Sequence, residues 1–170
     1  STWKNLIELS QDELSKLITS ILLRTKQETH KIIGNIYLIK FFNRLEDVRE
    51  LSAMINACSR LGYSDIALSL CLDDKNSRKK AEAIYADYKQ HLISALNYAE
   101  NNRTIGKDYV IINAKNKIKD TIIGTVASII SMSNRYEEGT IIIAMSYDKE
   151  KIKVSARLAG RNGRNVRKIL

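Results

Sequence analysis

The sequence contains no proline, two cysteines and two histidines among its 170 residues. Two cysteines, Cys58 and Cys71, are too few for a disulfide framework or for a zinc site built from thiolates. The two histidines, His30 and His91, belong to no metal-ligand spacing, which leaves little basis for histidine-based metal or triad chemistry. The scarcity of cysteine indicates a reducing, intracellular setting, and we expect a cytoplasmic protein.

Long apolar segments are also missing. No stretch approaches the roughly 18 consecutive apolar residues of a membrane-spanning helix, and no signal peptide opens the chain, so we expect no membrane partner. Apolar residues make up 44% and charged residues 28% of the sequence, a balance typical of globular domains. Because the chain begins at Ser1 rather than at a methionine, we expect it to be part of a longer protein.

Candidate catalytic groups are few. Asp73 and Asp74 are adjacent, but such a pair holds Mg²⁺ or Mn²⁺ only when further oxygen ligands lie nearby. Their position between two helices favours a loop and a helix cap instead. Cys58 and Cys71 occupy apolar-face positions, which favours small buried side chains over nucleophiles. We therefore predict no catalytic residue, no metal site and no cofactor in this chain, which on its own is not an enzyme.

The first 104 residues are predicted to be mainly helical. Ser10 and Glu13 form a capping box, in which each side chain bonds the other's backbone N–H, ahead of an apolar helical stripe. Residues 34–42 are rich in β-branched and aromatic side chains and predict a strand. Asn43 is predicted to cap a second helix that ends at Gly62. Further helices are predicted over residues 64–72 and 77–101.

The pattern changes after residue 104. A helix is predicted over residues 118–132, and strands are predicted over residues 109–113, 140–147 and 151–158. The expected fold class is α/β (α+β), with a helical N-terminal segment, 1–104, joined to a small mixed-sheet domain, 105–170.

The last predicted strand alternates strictly between polar and apolar residues. One face carries the apolar side chains Ile152, Val154, Ala156 and Leu158. The other face carries Lys151, Lys153, Ser155 and Arg157.

Basic charge is concentrated at the end of the chain. The sequence has 28 Lys and Arg against 19 Asp and Glu, and eight of these basic residues lie in 149–170 with one acid, Glu150. A basic surface of this kind attracts phosphates, and alternate strand residues stand about 6.5–7 Å apart, close to the phosphate spacing of an extended strand. The alternative is a solvated edge strand whose lysines deter strand pairing. The candidate nucleic-acid-binding residues are Lys151, Lys153, Ser155, Arg157, Arg161, Arg164 and Arg167.

Two segments resemble a known family. The stretch 47–62, with Asn56-Ala57-Cys58-Ser59-Arg60 at its centre, is similar to the region that follows the catalytic lobe of archaeal RecJ-like proteins of the DHH phosphoesterase superfamily. Ser59 stands where that motif usually has glycine. The second segment combines 123–128, the strand after it and Lys153-Val154-Ser155-Ala156-Arg157, and it resembles the DHH-associated substrate-binding domain. Together the two segments span about 47–170.

The resemblance implies a protein that grips single-stranded nucleic acid beside a separate catalytic lobe. Active members hydrolyse phosphodiesters with Mn²⁺ bound by Asp and Asp-His-His motifs, and this chain contains no His-His pair. The resemblance places Ser155 and Arg157 in the substrate-binding strand and Arg161 in the loop after it. Some members lack nuclease activity and act in DNA replication, bound to the GINS complex and the replicative helicase, which implies a nucleoid-associated protein.

Three interpretations therefore remain open, and one of them is a basic structural protein whose charge serves only solubility. Of the other two, the first is a non-catalytic module that binds single-stranded DNA and docks GINS or the helicase. The second is the C-terminal substrate-binding fragment of an active Mn²⁺-dependent RecJ-like exonuclease that acts on single-stranded DNA or RNA.

Overall fold

The computed structural model describes residues 6–25, 34–160 and 166. Among these residues, a short 3-10 helix at Leu6–Glu8 precedes five α-helices and six β-strands, and the α/β fold class is confirmed. The helices are α1 (Gln11–Thr25), α2 (Val48–Arg60), α3 (Ser64–Cys71), α4 (Lys75–Asn101) and α5 (Asp120–Met132). The strands are β1 (Leu38–Phe41), β2 (Arg44–Asp47), β3 (Arg103–Ile105), β4 (Tyr109–Asn113), β5 (Ile141–Asp148) and β6 (Lys151–Leu158).

The capping box at the start of α1 is confirmed. The backbone N–H of Ser10 donates to Glu13 Oε2 at 2.9 Å, and the N–H of Glu13 donates to Ser10 Oγ at 3.3 Å. Both bonds satisfy N–H groups that the first helical turn leaves without a backbone partner.

None of the described helices is long and apolar enough to cross a membrane.

The prediction that Asn43 caps the second helix is wrong. β1 and β2 form an antiparallel hairpin, and its two turn residues, Phe42 and Asn43, have φ values of 45° and 60°. Asparagine tolerates this left-handed conformation, so the same residue type that favours a helix cap also favours a tight turn. The cap of α2 is Asp47, whose side chain accepts from the N–H of Arg49 at 2.8 Å.

Helices α2, α3 and α4 pack around a small core of their own. The chain leaves α2 through Gly62, whose φ of 90° is the left-handed conformation that the sequence predicts for a glycine after a helix. The buried residues of this core are Leu51, Cys58, Ala67, Leu70 and Ala81.

The second sheet has four strands in the order β3-β4-β5-β6. β4 and β5 are parallel and joined through α5, while the β3–β4 and β5–β6 pairs are antiparallel. Helix α5 lies on one face of this sheet, and the C-terminal half of α4 packs with it. The main core lies between them, and its fully buried members include Ala99, Val110, Ile112, Ile123, Val126 and Ile142.

The short strand β3 was not predicted. It has only three residues, and Arg103 within it forms an ion pair with Glu100 at the end of α4. Arg135 reaches the same carboxylate at 2.9 Å. The hydrogen bond from Arg103, with the positive charge of both arginines, holds the pKa of Glu100 below its usual value. β3 spans the predicted boundary at residue 104, and the division into 1–104 and 105–170 stays a prediction.

Candidate nucleic-acid interface

The basic residues that the sequence predicts on one face of β6 do lie on one face of the strand. Its described members are Lys151, Lys153, Ser155 and Arg157. Their pairing partners on β5 lie on the same side of the sheet, and three of these four partners, Ile142, Ala144 and Ser146, are fully buried. The period-2 alternation is thus confirmed. The basic residues share the face on which α5 packs.

This orientation reverses the expected burial of the two faces of β6. The sequence suggests that the apolar residues of β6 face the core and that the polar residues face solvent. Instead, Ile152 and Val154 are 59% and 49% exposed, whereas Ser155 is only 7% exposed. The expectation that Ser155 faces solvent is therefore wrong, because α5 covers it, and its role in nucleic-acid binding stays a prediction. Lys151, Lys153 and Arg157 remain exposed on either side of it.

The close approach of α5 to β6 depends on small side chains. A Cβ atom on Gly124 would stand 3.5 Å from Ser155 Oγ, so the helix backbone lies almost directly on the strand at that point. One turn later, Arg157 Nε donates to Ser128 Oγ at 3.1 Å, and Ser128 Oγ donates to the carbonyl of Gly124 at 2.9 Å. These contacts fix the guanidinium of Arg157 beside the helix while leaving it exposed to solvent.

A second arginine reaches the same region from α2. Arg60 Nε donates to Asn56 Oδ1 at 3.1 Å, and its NH1 group donates to the carbonyl of Thr121 at 2.7 Å. The side chain therefore ties the end of α2 to the first turn of α5. The sequence alone does not place Arg60 next to Lys153, which lies about 90 positions later.

Arg60 and Lys153 line the same shallow cleft, between the end of α2, the start of α5 and β6. Ser59, Asp120, Thr121 and Gly124 complete its lining. Asp120 is the one acid among these lining residues. Lys119, the residue that precedes α5, makes no side-chain cap. The first turn of α5, which carries the positive end of the helix dipole, borders the cleft through Asp120 and Thr121.

The cleft brings together residues from both segments that carry the family resemblance. Arg60 comes from the first segment, and Gly124 and Lys153 come from the second. Arg157 does not line the cleft but lies on the same strand as Lys153, bonded to Ser128 of α5. Arg161, Arg164 and Arg167, which complete the predicted basic surface, lie outside the described residues.

The described residues offer no cluster of three or more His, Cys, Asp or Glu side chains that could hold a metal ion. Asp74 caps α4 by accepting from the N–H of Asn76 at 3.3 Å, and Asp73 has a φ of 63° in the preceding turn. The interpretation of this pair as a loop and a cap is thus confirmed.

The two cysteines differ in their surroundings. Cys58 is fully buried in the helical core, and burial raises the pKa of its thiol above the usual value. Cys71 is exposed at the end of α3, so the prediction that both cysteines are buried is wrong for Cys71. Helical periodicity placed Cys71 on an apolar face, but α3 ends at that residue and nothing described covers its side chain.

Comparisons with known proteins find limited similarity. No family model matches the chain. A stretch of 89 residues, 52% of this chain, is 29% identical to an uncharacterized protein, MJ0831, of Methanocaldococcus jannaschii. That stretch covers 20% of the length of the archaeal protein.

Proposed function

We propose that this chain is a non-catalytic, RecJ-like module that binds single-stranded DNA and docks other replication proteins. Its DNA contacts are the phosphates of one strand, held by Arg60, Lys153 and Arg157. The proposed protein partners are the GINS complex and the replicative helicase, and the proposed location is the cytoplasm, at the nucleoid. The proposal includes no metal or cofactor in this chain.

The observation that carries the proposal is that Arg60 and Lys153 line one cleft, with Arg157 exposed on the same face of β6. Arginine and lysine side chains and helix N–H groups are the donors that proteins use for phosphates. Stacking partners are scarce here, since neither Arg60, Lys153 nor any other lining residue is aromatic. A site of this composition favours contact with the backbone over the recognition of bases, and we expect little preference for sequence.

The test compares two charge-matched variants. The first replaces Lys153 and Arg157 by Ala, and the control replaces Lys79 and Lys80, two exposed lysines on α4, by Ala. Both variants lose two positive charges. A difference in their DNA-binding affinity is therefore due to the position of the charges and not to the net charge. Binding of a fluorescently labelled single strand is measured by anisotropy at fixed salt.

We expect the first variant to bind at least about tenfold more weakly, because each lost charge-assisted contact is worth roughly 1.5–3 kcal/mol. The loss should be the same for oligothymidine and for a mixed sequence. The Lys79 and Lys80 control should bind nearly as the parent does. Equal affinities for the two variants would contradict the proposal.

The second function, a substrate-binding fragment of an active exonuclease acting on DNA or RNA, rests on the same cleft. It is favoured by the length of the relative, which is about five times that of the matched stretch and has room for a catalytic lobe. Incubation with Mn²⁺ distinguishes the two functions. We expect a labelled single strand to stay intact with the chain as given, and also with the longer protein if that protein has lost its nuclease activity. Mn²⁺-dependent shortening by the longer protein would favour the exonuclease.

A further inference from the structure

The face of the four-stranded sheet opposite α5 is apolar and open. Twelve residues form it, and none of them is charged or buried. They are Thr104, Tyr109, Ile111, Asn113, Ile141, Ile143, Met145, Tyr147, Ile152, Val154, Ala156 and Leu158. Among the described residues no helix packs on this face, and we call it the open sheet face.

The composition of the open sheet face is unusual for a surface. Charged residues make up 28% of the sequence, yet twelve neighbouring positions on four strands contain none. A soluble protein rarely exposes a contiguous apolar patch of more than a few hundred Å² unless something binds it. Within the open sheet face, the two most exposed aliphatic side chains are Ile152 and Val154, which lie on the edge strand β6.

We propose that the open sheet face binds a second copy of this chain, face to face, to form a symmetric dimer. In a two-fold dimer the same patch meets itself, so an uncharged sheet face meets an equally uncharged face. The charge distribution favours this approach. The chain carries a net charge of +9, and Lys153 and Arg157 lie on the opposite face of the sheet. Face-to-face packing therefore keeps these groups of the two copies apart.

The area of the open sheet face limits how much surface a dimer can bury. Each residue on one face of a sheet covers about 33 Å², from a strand spacing of about 4.8 Å and a two-residue repeat of about 6.8 Å. Twelve residues thus give a flat footprint of about 400 Å². Standard interfaces bury about 800 Å² of accessible surface per partner, and weak ones bury less. The patch is therefore at the small end of specific interfaces, and we expect a weak dimer.

The proposal is independent of the proposed DNA-binding function, because it uses the other face of the sheet. The dependence on salt concentration distinguishes dimerisation from DNA binding. Added salt screens the repulsion between two copies of +9 and should strengthen the dimer, whereas it weakens the binding of a charged strand.

Sedimentation equilibrium of the full chain tests the proposal, with Val154→Lys as the variant and Ile93→Lys as the matched control. Ile93 is 52% exposed on α4, so both changes place a lysine at a half-exposed aliphatic position. We expect the parent and Ile93→Lys to dimerise as concentration rises, and Val154→Lys to stay monomeric. Ile152→Lys, at a more exposed position of the same face, repeats the test.

Two results would overturn the proposal. The first is a parent chain that stays monomeric up to about 1 mM, the concentration scale of very weak binding. That result is expected if residues 161–170 or a different protein occupy the open sheet face. The second is a parent dimer that survives both Val154→Lys and Ile152→Lys, which would place the interface elsewhere.

Discussion

Arg157 and Ser155 stand two positions apart on β6, and their surroundings are very different. The serine is buried beneath α5, next to Gly124, and its hydroxyl is too enclosed to serve as a first contact for a strand of DNA. The arginine reaches past the helix and is held by Ser128 while remaining exposed. At the scale of single residues, the long basic side chains are therefore the proposed phosphate contacts, and Ser155 packs against α5.

The two thiols provide a test at the same scale. We expect a thiol reagent to modify one cysteine per native chain quickly, because Cys71 is exposed and Cys58 is buried with a raised pKa. Absorbance of the released chromophore, counted before and after unfolding in guanidinium chloride, measures this directly. The control is Cys71→Ser, which should leave no fast-reacting thiol in the native chain. Two fast-reacting thiols in the native parent would mean that the core around Cys58 is open.

At the scale of elements, α5 and β6 form one unit through the contact at Gly124. The helix can lie this close to the strand because neither Gly124 nor Ser155 has a large side chain. The contact also brings Arg157 within reach of Ser128, so the packing of the helix determines where the guanidinium stands. A change in the distance between the two elements should therefore disturb both stability and binding.

Substitutions at Gly124 test this contact. Ala fits, since its Cβ would meet Ser155 Oγ at 3.5 Å, an ordinary van der Waals distance, and Ala favours a helix over Gly by about 1 kcal/mol. We expect Gly124→Ala to leave the free energy of unfolding unchanged or raise it by up to about 1 kcal/mol. Gly124→Leu should lower it by about 1–3 kcal/mol, because the larger side chain forces the elements apart. Urea titration followed by circular dichroism measures both, and equal stabilities for the two variants would show that the contact is looser than described.

The elements themselves were largely predictable from local patterns, and their faces were not. The helices α1, α3, α4 and α5 and the strands β4, β5 and β6 follow from periodicity and capping within a residue or two. Alternation in β6 gives two faces but does not say which one a helix covers, because that depends on where the crossover helix α5 lies. The sequence likewise does not predict that Arg60 and Lys153 line the same cleft, because this depends on the tertiary packing of α2 and α5.

At the scale of the whole molecule, the four-stranded sheet separates two kinds of surface. One face is covered by α5 and bears the basic residues of β6 at its rim, together with Arg60 from α2. The other face is apolar, uncharged and open among the described residues. This separation allows one face to contact a phosphate backbone while the other contacts a second copy, without competition between them.

The central claim is that the basic residues beside α5 bind the phosphates of a single strand, and the salt dependence of binding tests it most directly. Each phosphate contact contributes about 0.7 to the slope of log affinity against log salt for a single strand. We predict that replacing Lys153 and Arg157 by Ala flattens that slope by about 1.4, and that the Lys79 and Lys80 control changes it by less than about 0.3. A slope equal to that of the parent in the first variant would contradict the account, because these residues would then contact no phosphate.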